Sequence, residues 1–248
     1  KTVMPQLSLK PAYIMTIVAV FGTTISPYLF FWQASQEVEE INSHSKRKAL
    51  IKDPQQAHVQ LNRIRFDTFV GMSISNIIAV FIMLTTAAVL FSHNITNIQT
   101  SAQAAEALRP IAGKFAFLLF ALGIIGTGLL SIPVLAGSVG YAVAESFKWP
   151  SGMELKLGYA KGFYFVISLA IIGGIILDFT QIDPIKALYW SAVVNGVISV
   201  PIMVVMLLLV SQRKVMGKFV IGKLLKFWGW LATIVMTLAV TAMFVTML

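Results

Sequence analysis

Cysteine is absent from the chain, which removes disulfides, thiolate metal sites and cysteine nucleophiles together. Charge is scarce: Asp, Glu, Lys and Arg make up 12% of the 248 residues, and only 10 of them are acidic. The three histidines, His44, His58 and His93, lie between apolar runs, so no histidine-built metal site is expected. The acids avoid the middle of the runs; Asp67, Glu145, Asp178 and Asp183 all sit near run ends. There is no nucleophile triad and no glycine-rich phosphate loop after a strand. An enzyme has no residues to be built from, and no cofactor is called for.

What fills the chain is hydrocarbon. Hydrophobic residues are 57% of it and the mean hydropathy is +0.82. A soluble domain this apolar would have nowhere to put its surface. Six runs reach the roughly 20 residues needed to cross a bilayer core: about 11–33, 66–91, 111–147, 158–177, 184–210 and 219–247. Backbone groups in lipid must be satisfied within their own segment, so all six are predicted helical. The fold class is an all-α polytopic membrane protein, with 1–248 a single transmembrane domain whose solvent is the lipid bilayer.

The net charge of +9 does not imply nucleic acid, because the cations lie in the connections between runs. Lys46, Arg47, Lys48, Lys52, Arg63 and Arg65 follow the first run; Lys148, Lys156 and Lys161 the third; Arg213, Lys214, Lys218, Lys223 and Lys226 the fifth. The opposite side holds Lys1, Lys10, Arg109, Lys114 and Lys186. Positive-inside sidedness then makes loops 34–65, 148–157 and 211–218 cytoplasmic, in a plasma (inner) membrane. The chain opens on Lys1 with no signal peptide ahead of its first span, and reads as the C-terminal part of a longer chain. The first loop, about 34–65, is predicted to be a helix-turn-helix, and its basic cluster is either a solvated face or a contact for anionic lipid. On the outer side, 99–108 has the spacing of a surface helix, and Asn94-Ile95-Thr96 fits a glycosylation sequon.

The sharpest local anomaly is Gly22-Thr23-Thr24-Ile25-Ser26-Pro27, near the centre of the first run. Proline cannot donate to the helical ladder and clashes with the preceding turn. It also disfavours helical geometry at Ser26, and Gly22 adds backbone freedom. Two readings stand: a discontinuous helix whose released carbonyls and hydroxyls are hard oxygen ligands for a cation, or a proline kink healed by Ser and Thr side chains. In the third run the small residues Gly123, Gly126, Gly128, Ser131, Gly137, Ser138 and Gly140 favour close helix packing. In the fifth, Asn195 and Ser199 share a helix face and either bond between helices or line a pathway. Trp149, Trp190 and Trp228 read as interface anchors.

Phe21-Gly22-Thr23-Thr24-Ile25-Ser26-Pro27-Tyr28 followed by Trp32-Gln33 resembles the broken sixth helix of the Nramp family of divalent metal transporters. Phe120-Ala121-Leu122-Gly123, Gly126-Thr127-Gly128 and Leu135-Ala136-Gly137 resemble its eighth helix, and Met216-Gly217-Lys218 through Gly229-Trp230 the entry to its eleventh. The resemblance runs through nearly the whole chain. It implies a LeuT-type fold of which this chain is helices six to eleven, the second inverted repeat plus the last helix. Its partners would be the missing N-terminal helices of the same protein and a divalent metal ion.

The family binds its metal between broken helices one and six, and its usual helix-six pattern is Ala-Thr-Val-Met-Pro-His. The Ala position, a backbone-carbonyl ligand, is Thr23 here; the Met position is Ser26 and the His position Tyr28. The helix-ten Gln position corresponds to Ser199. The resemblance therefore implies Thr23 and Ser26 as metal ligands, with Gly22, Thr24, Tyr28, Asn195 and Ser199 along the pathway. A thioether selects softer transition metals; a hydroxyl does not. An all-oxygen site suits Mg²⁺ and Mn²⁺, with Mg²⁺ keeping several waters. Tyrosine does not titrate near neutral pH, which weakens the case for proton coupling. The pattern is similar to the Nramp-related magnesium transporter branch. The expectation is uptake of Mg²⁺, with Mn²⁺ accepted, by alternating access. The alternatives are a proton-coupled Mn²⁺/Fe²⁺ transporter of the family, an amino-acid transporter on the same fold, and a non-transporting membrane subunit.

Overall fold

The computed structural model describes residues 10–43, 50–89, 98 and 100–247. Among the described residues every regular element is a helix: α1 Pro11–Ile25, α2 Pro27–Ser43, α3 Pro54–Val89, α4 Ser101–Ala105, α5 Arg109–Ala112, α6 Ala116–Ser146, α7 Lys161–Asp178, α8 Pro184–Ser211, α9 Arg213–Met216 and α10 Lys223–Met247. Short 3₁₀ turns, Glu106–Leu108 and Gly113–Phe115, flank α5. Among the described residues six helical stretches are long and apolar enough to cross a membrane: Pro11–Ser43 across the break at Ser26, Pro54–Val89, Gly113–Ser146, Lys161–Asp178, Pro184–Ser211 and Lys223–Met247. The chain is an all-α polytopic membrane protein.

Prolines set many of the starts. Pro11, Pro27, Pro54 and Pro184 are the first residues of α1, α2, α3 and α8. At that position the missing N–H costs nothing and the fixed φ already suits a helix. Aspartates stand before two of them. Asp53 Oδ1 accepts the N–H of Gln55 and of Gln56, each at 3.2 Å, and Asp183 Oδ1 accepts that of Ile185 at 2.9 Å. Thr100 and Gln103 form a capping box on α4.

Several helices start or end away from the hydropathy boundaries, for local reasons. α2 runs past Gln33 to Ser43, and α3 starts at Pro54 rather than near Phe66. Arg63 ties these polar extensions together, with Nη2 2.9 Å from Glu37 Oε2 and 2.8 Å from Glu40 Oε2. The helix-turn-helix expected in the first loop is present on both sides of its turn; His44 and the Lys46–Lys48 cluster lie outside the described residues, as do His93, Gln99 and the Asn94–Thr96 sequon. α6 begins at Ala116 rather than near 111, because Gly113 adopts φ 54°, ψ −126° and interrupts the helix. α7 begins at Lys161 rather than 158, after a turn closed by Tyr159 N–H on the Lys156 carbonyl at 2.9 Å.

The chain divides into two compact units, 1–27 with 188–248, and 28–187. The first packs α1, α8 and α10 around Ile14, Val18, Ala19, Ala192, Val193, Met236, Val240 and Met243. Two glycines let α1 and α8 touch backbone to backbone. A Cβ on Gly22 would collide with the Ala192 carbonyl oxygen and stand 2.5 Å from the Gly196 nitrogen; one on Gly196 would lie 2.6 Å from the Val18 carbonyl oxygen. In the second unit Tyr141, Ala144, Ala160 and Phe163 form the core, with Trp32, Tyr164 and Ile167 against it. The ring of Trp32 occupies the space a side chain on Gly137 would fill, and meets Tyr141 edge-on at 5.9 Å. Gly137 and Gly140 of α6 thus act in packing, as their spacing implied, whereas no atom lies within 4 Å of a would-be Cβ on Gly123 or Gly126.

Candidate functional site

The break between α1 and α2 combines a missing hydrogen with a left-handed residue; the first alone is not enough, since Pro133 and Pro201 lie inside α6 and α8. In an unbroken helix the N–H of residue 27 would bond the carbonyl of Thr23, and Pro27 has no N–H. α1 therefore ends at Ile25, and Ser26 turns left-handed at φ 46°, ψ 68°. That conformation costs a residue with a Cβ about 1–2 kcal/mol. Ser26 offsets part of this with two bonds. Its N–H reaches the Gly22 carbonyl at 3.1 Å, and its hydroxyl donates to the Thr23 carbonyl in a short hydrogen bond. The carbonyl released by Pro27 is thus the one the Ser26 hydroxyl covers. Ser26 is 6% exposed, so this pairing is shielded from bulk water.

The neighbouring hydroxyls turn back on their own helix. Thr23 Oγ1 and Thr24 Oγ1 both donate to the Val20 carbonyl at 2.8 Å, and both residues are exposed. Among the described residues no backbone hydrogen bond crosses Pro27, so the carbonyls of Thr24 and Ile25 close α1 without a helical partner. The end of α1 presents oxygen and the partial negative charge of a helix C-terminus. Elements of both readings from the sequence are present: the helix is discontinuous at Ser26, and the Ser26, Thr23 and Thr24 hydroxyls bond back to carbonyls of α1.

The structure brings Thr23 and Ser26 into direct contact. Gly22 sits against α8 at Ala192 and Gly196, where it serves close packing. Ser199 is fully buried and donates to the Gly196 carbonyl at 2.7 Å, a bond within its own helix. Asn195 is half-buried and its side chain makes no hydrogen bond among the described residues. Tyr28, half-buried, begins the second unit in the first turn of α2. No hydrogen bond among the described residues joins Tyr28, Asn195 or Ser199 to Thr23 or Ser26. No group of three His, Asp or Glu side chains able to hold a metal occurs among the described residues either.

A second polar cluster escaped the sequence reading. In the second unit the Glu39 carboxylate on α2 accepts the Tyr141 hydroxyl from α6 in a short hydrogen bond, and the backbone N–H of Glu154 at 2.6 Å. The Tyr141 oxygen accepts in turn from Gln36 Nε2 at 2.9 Å and the Met153 N–H at 3.3 Å. Beside it, Ser35 donates to Glu145 Oε1 at 2.8 Å, and Tyr164 donates to the Leu155 carbonyl at 2.9 Å. A cavity of about 470 Å³ is lined here by Ser35, Glu39, Asn42, Tyr141, Glu145 and Glu154, among others. This network fastens α2 to α6 and to the loop after it. Its one sequence signal is a tyrosine next to the small-residue run Gly137–Gly140, where an apolar residue would suffice for packing.

Six apolar helical stretches, one broken at a left-handed serine that hands its hydroxyl to a freed carbonyl, define a class: polytopic membrane proteins built on a discontinuous helix. The model of the family described as "Natural resistance-associated macrophage protein-like", Nramp, matches residues 1–246. The chain belongs to the Nramp family. It is 24% identical over 247 residues to the "Divalent metal cation transporter MntH" of Clostridium acetobutylicum, covering 99% of this chain and 52% of that protein. The same-named protein of Caldanaerobacter subterraneus is 26% identical over 248 residues, covering 99% and 54%. That of Deinococcus radiodurans is 24% identical over 224 residues, covering 88% and 46%. The chain spans about half the length of the curated relatives it matches.

Proposed function

We propose that this chain is part of a transporter that imports divalent cations by alternating access, with hard ions favoured: Mg²⁺, and Mn²⁺ as well. The observation that carries the reading is the pairing at the break. The side chains Thr23, Thr24, Ser26 and Tyr28 offer oxygen only, with no thioether or thiolate among them. Oxygen donors suit Mg²⁺ and Mn²⁺ over softer ions. The Ser26 hydroxyl on the Thr23 carbonyl is a neutral hydrogen bond worth about 1 kcal/mol. A divalent ion, bound directly or through its water, would displace it at little cost. Thr23 would then give its carbonyl and Ser26 its hydroxyl oxygen. Gly22, Thr24, Tyr28, Asn195 and Ser199 would border the route, in a plasma membrane. Transport would not be tightly coupled to protons.

The relatives' name, divalent metal cation transporter, supports the cargo class. It favours equally a second reading, a proton-coupled Mn²⁺/Fe²⁺ transporter. The discriminating experiment is Mn²⁺ uptake into proteoliposomes by the full-length parent protein, with Mg²⁺ in excess. Block by millimolar Mg²⁺ is the expected result. Mn²⁺ uptake indifferent to Mg²⁺ and accelerated by an inward proton gradient would establish the second reading instead.

A further inference from the structure

All ten acidic residues of the chain lie in the unit 28–187, and the unit formed by 1–27 and 188–248 holds none. That acid-free unit carries five cations within one short stretch: Arg213, Lys214, Lys218, Lys223 and Lys226. All five are exposed, and none has an ion-pair partner among the described residues. The segment holding them is ordered by backbone bonds. α8 ends at Ser211, α9 makes a single turn, Gly217 takes φ 57°, and its N–H bonds the Arg213 carbonyl at 2.9 Å. The Ile221 N–H then returns to the Val210 carbonyl at 3.1 Å, closing the connection against the end of α8. Along it Met216, Phe219, Val220 and Ile221 are half-buried while the cations project.

Immediately beyond, the first turns of α10 expose large apolar side chains: Leu224 is 74% exposed, Leu225 64%, Phe227 60% and Trp228 57%. Such a collar at the end of a membrane span belongs at the level where acyl chains meet headgroups. The five cations therefore stand at the depth of the lipid phosphates, on the side that the positive-inside rule makes cytoplasmic. No Asp or Glu of this unit is available to pair with them, so their charge is open to an anion from outside it.

We infer that segment 213–226 is a docking surface for the phosphate headgroups of anionic phospholipids in the cytoplasmic leaflet. Lys and Arg clusters directly beside a transmembrane helix bind such lipids with a gain that grows with each cation. The inference stands apart from the transport reading, since lipid retention is measured without any cargo.

The test is native mass spectrometry of the full-length protein, purified in mild detergent and offered equal mixtures of phosphatidylglycerol and phosphatidylcholine. Phosphatidylglycerol is expected to be retained over phosphatidylcholine by on the order of tenfold, less so at high salt. Changing Arg213, Lys214, Lys218, Lys223 and Lys226 to Gln should bring the two lipids within about twofold of each other. A companion variant with the four lysines changed to Arg keeps the charge and should keep the preference, which separates charge loss from misfolding. Neutralising Lys148, Lys156 and Lys161 instead should leave the preference intact. The inference is overturned if the five-Gln variant still prefers phosphatidylglycerol, or if the unaltered protein shows no preference. It is overturned too if millimolar inorganic phosphate displaces the lipid, since the ligand would then be free phosphate.

Discussion

Ser26 combines a strained backbone with a working hydroxyl, and substitutions can separate the two. Ser26→Met removes the oxygen and installs a thioether. In the full-length protein it should raise block of Mn²⁺ uptake by Cd²⁺ relative to block by Mg²⁺ by on the order of tenfold. Unchanged Mg²⁺/Cd²⁺ discrimination would remove Ser26 from the ligand set. Ser26→Gly relieves the left-handed strain of about 1–2 kcal/mol and loses the cap on the Thr23 carbonyl. Its melting temperature should hold or rise while Mg²⁺ competition weakens. Gly22 makes a sharper case. A Cβ there meets backbone atoms of α8, among them Gly196 N at 2.5 Å and Gly196 Cα at 2.9 Å, and backbone cannot swing aside. Gly22→Ala should destabilise the protein by about 1–3 kcal/mol or prevent its folding. Gly123→Ala is the matched control, because nothing lies within 4 Å of its would-be Cβ. It should be neutral or gain up to about 1 kcal/mol from helix propensity. Thermal unfolding in detergent compares the two; equal effects would refute the close-packing account.

Between elements, the junction of α2 with α6 and its following loop rests on the Glu39–Tyr141 bond. A double-mutant cycle with Glu39→Gln and Tyr141→Phe should return a coupling energy of about 0.5–3 kcal/mol in unfolding. A value near zero would mean that the packing of Trp32 on Tyr141 and the other hydrogen bonds of the junction, such as Ser35 to Glu145, hold it without this bond. This contact also marks the limit of what the sequence discloses. Helix identity was legible because twenty-residue apolar runs admit no other structure in lipid. The break was legible only as one of two readings, because Pro27 removes a hydrogen bond locally yet Pro133 and Pro201, which do the same, lie inside unbroken α6 and α8. Glu39 and Tyr141 are 102 residues apart, and neither carries a periodic signal that names the other. Glu37, Glu39 and Glu40 read alike in the sequence, yet the first and last pair with Arg63 while Glu39 turns to Tyr141. The candidate site was half legible for the same reason. Thr23 and Ser26 are three apart and their contact is local. Asn195 and Ser199 depend on how α8 rotates, and that rotation is set by Gly22 and Gly196 meeting, a packing event with no local signature.

At the scale of the whole molecule, sidedness decides which leaflet segment 213–226 meets. The absence of cysteine makes it directly measurable, since any introduced thiol is the only one in this chain. Ser101, Thr180, Lys156 and Lys218 are exposed and lie in connections rather than within the apolar spans. By the positive-inside rule the first two face outward and the last two the cytoplasm. A membrane-impermeant maleimide added to intact cells should label Ser101→Cys and Thr180→Cys. Lys156→Cys and Lys218→Cys should react only after permeabilisation. Labelling in the opposite pattern would invert the topology and move the five cations to the outer leaflet. A mixed pattern, with Lys156→Cys and Lys218→Cys on different sides, would mean that one of α7 and α8 does not cross, because two crossings separate those residues. The expected pattern requires α7 and α8 both to span. α7, 18 residues long, is the shortest of the six candidates and therefore the one this measurement tests most severely.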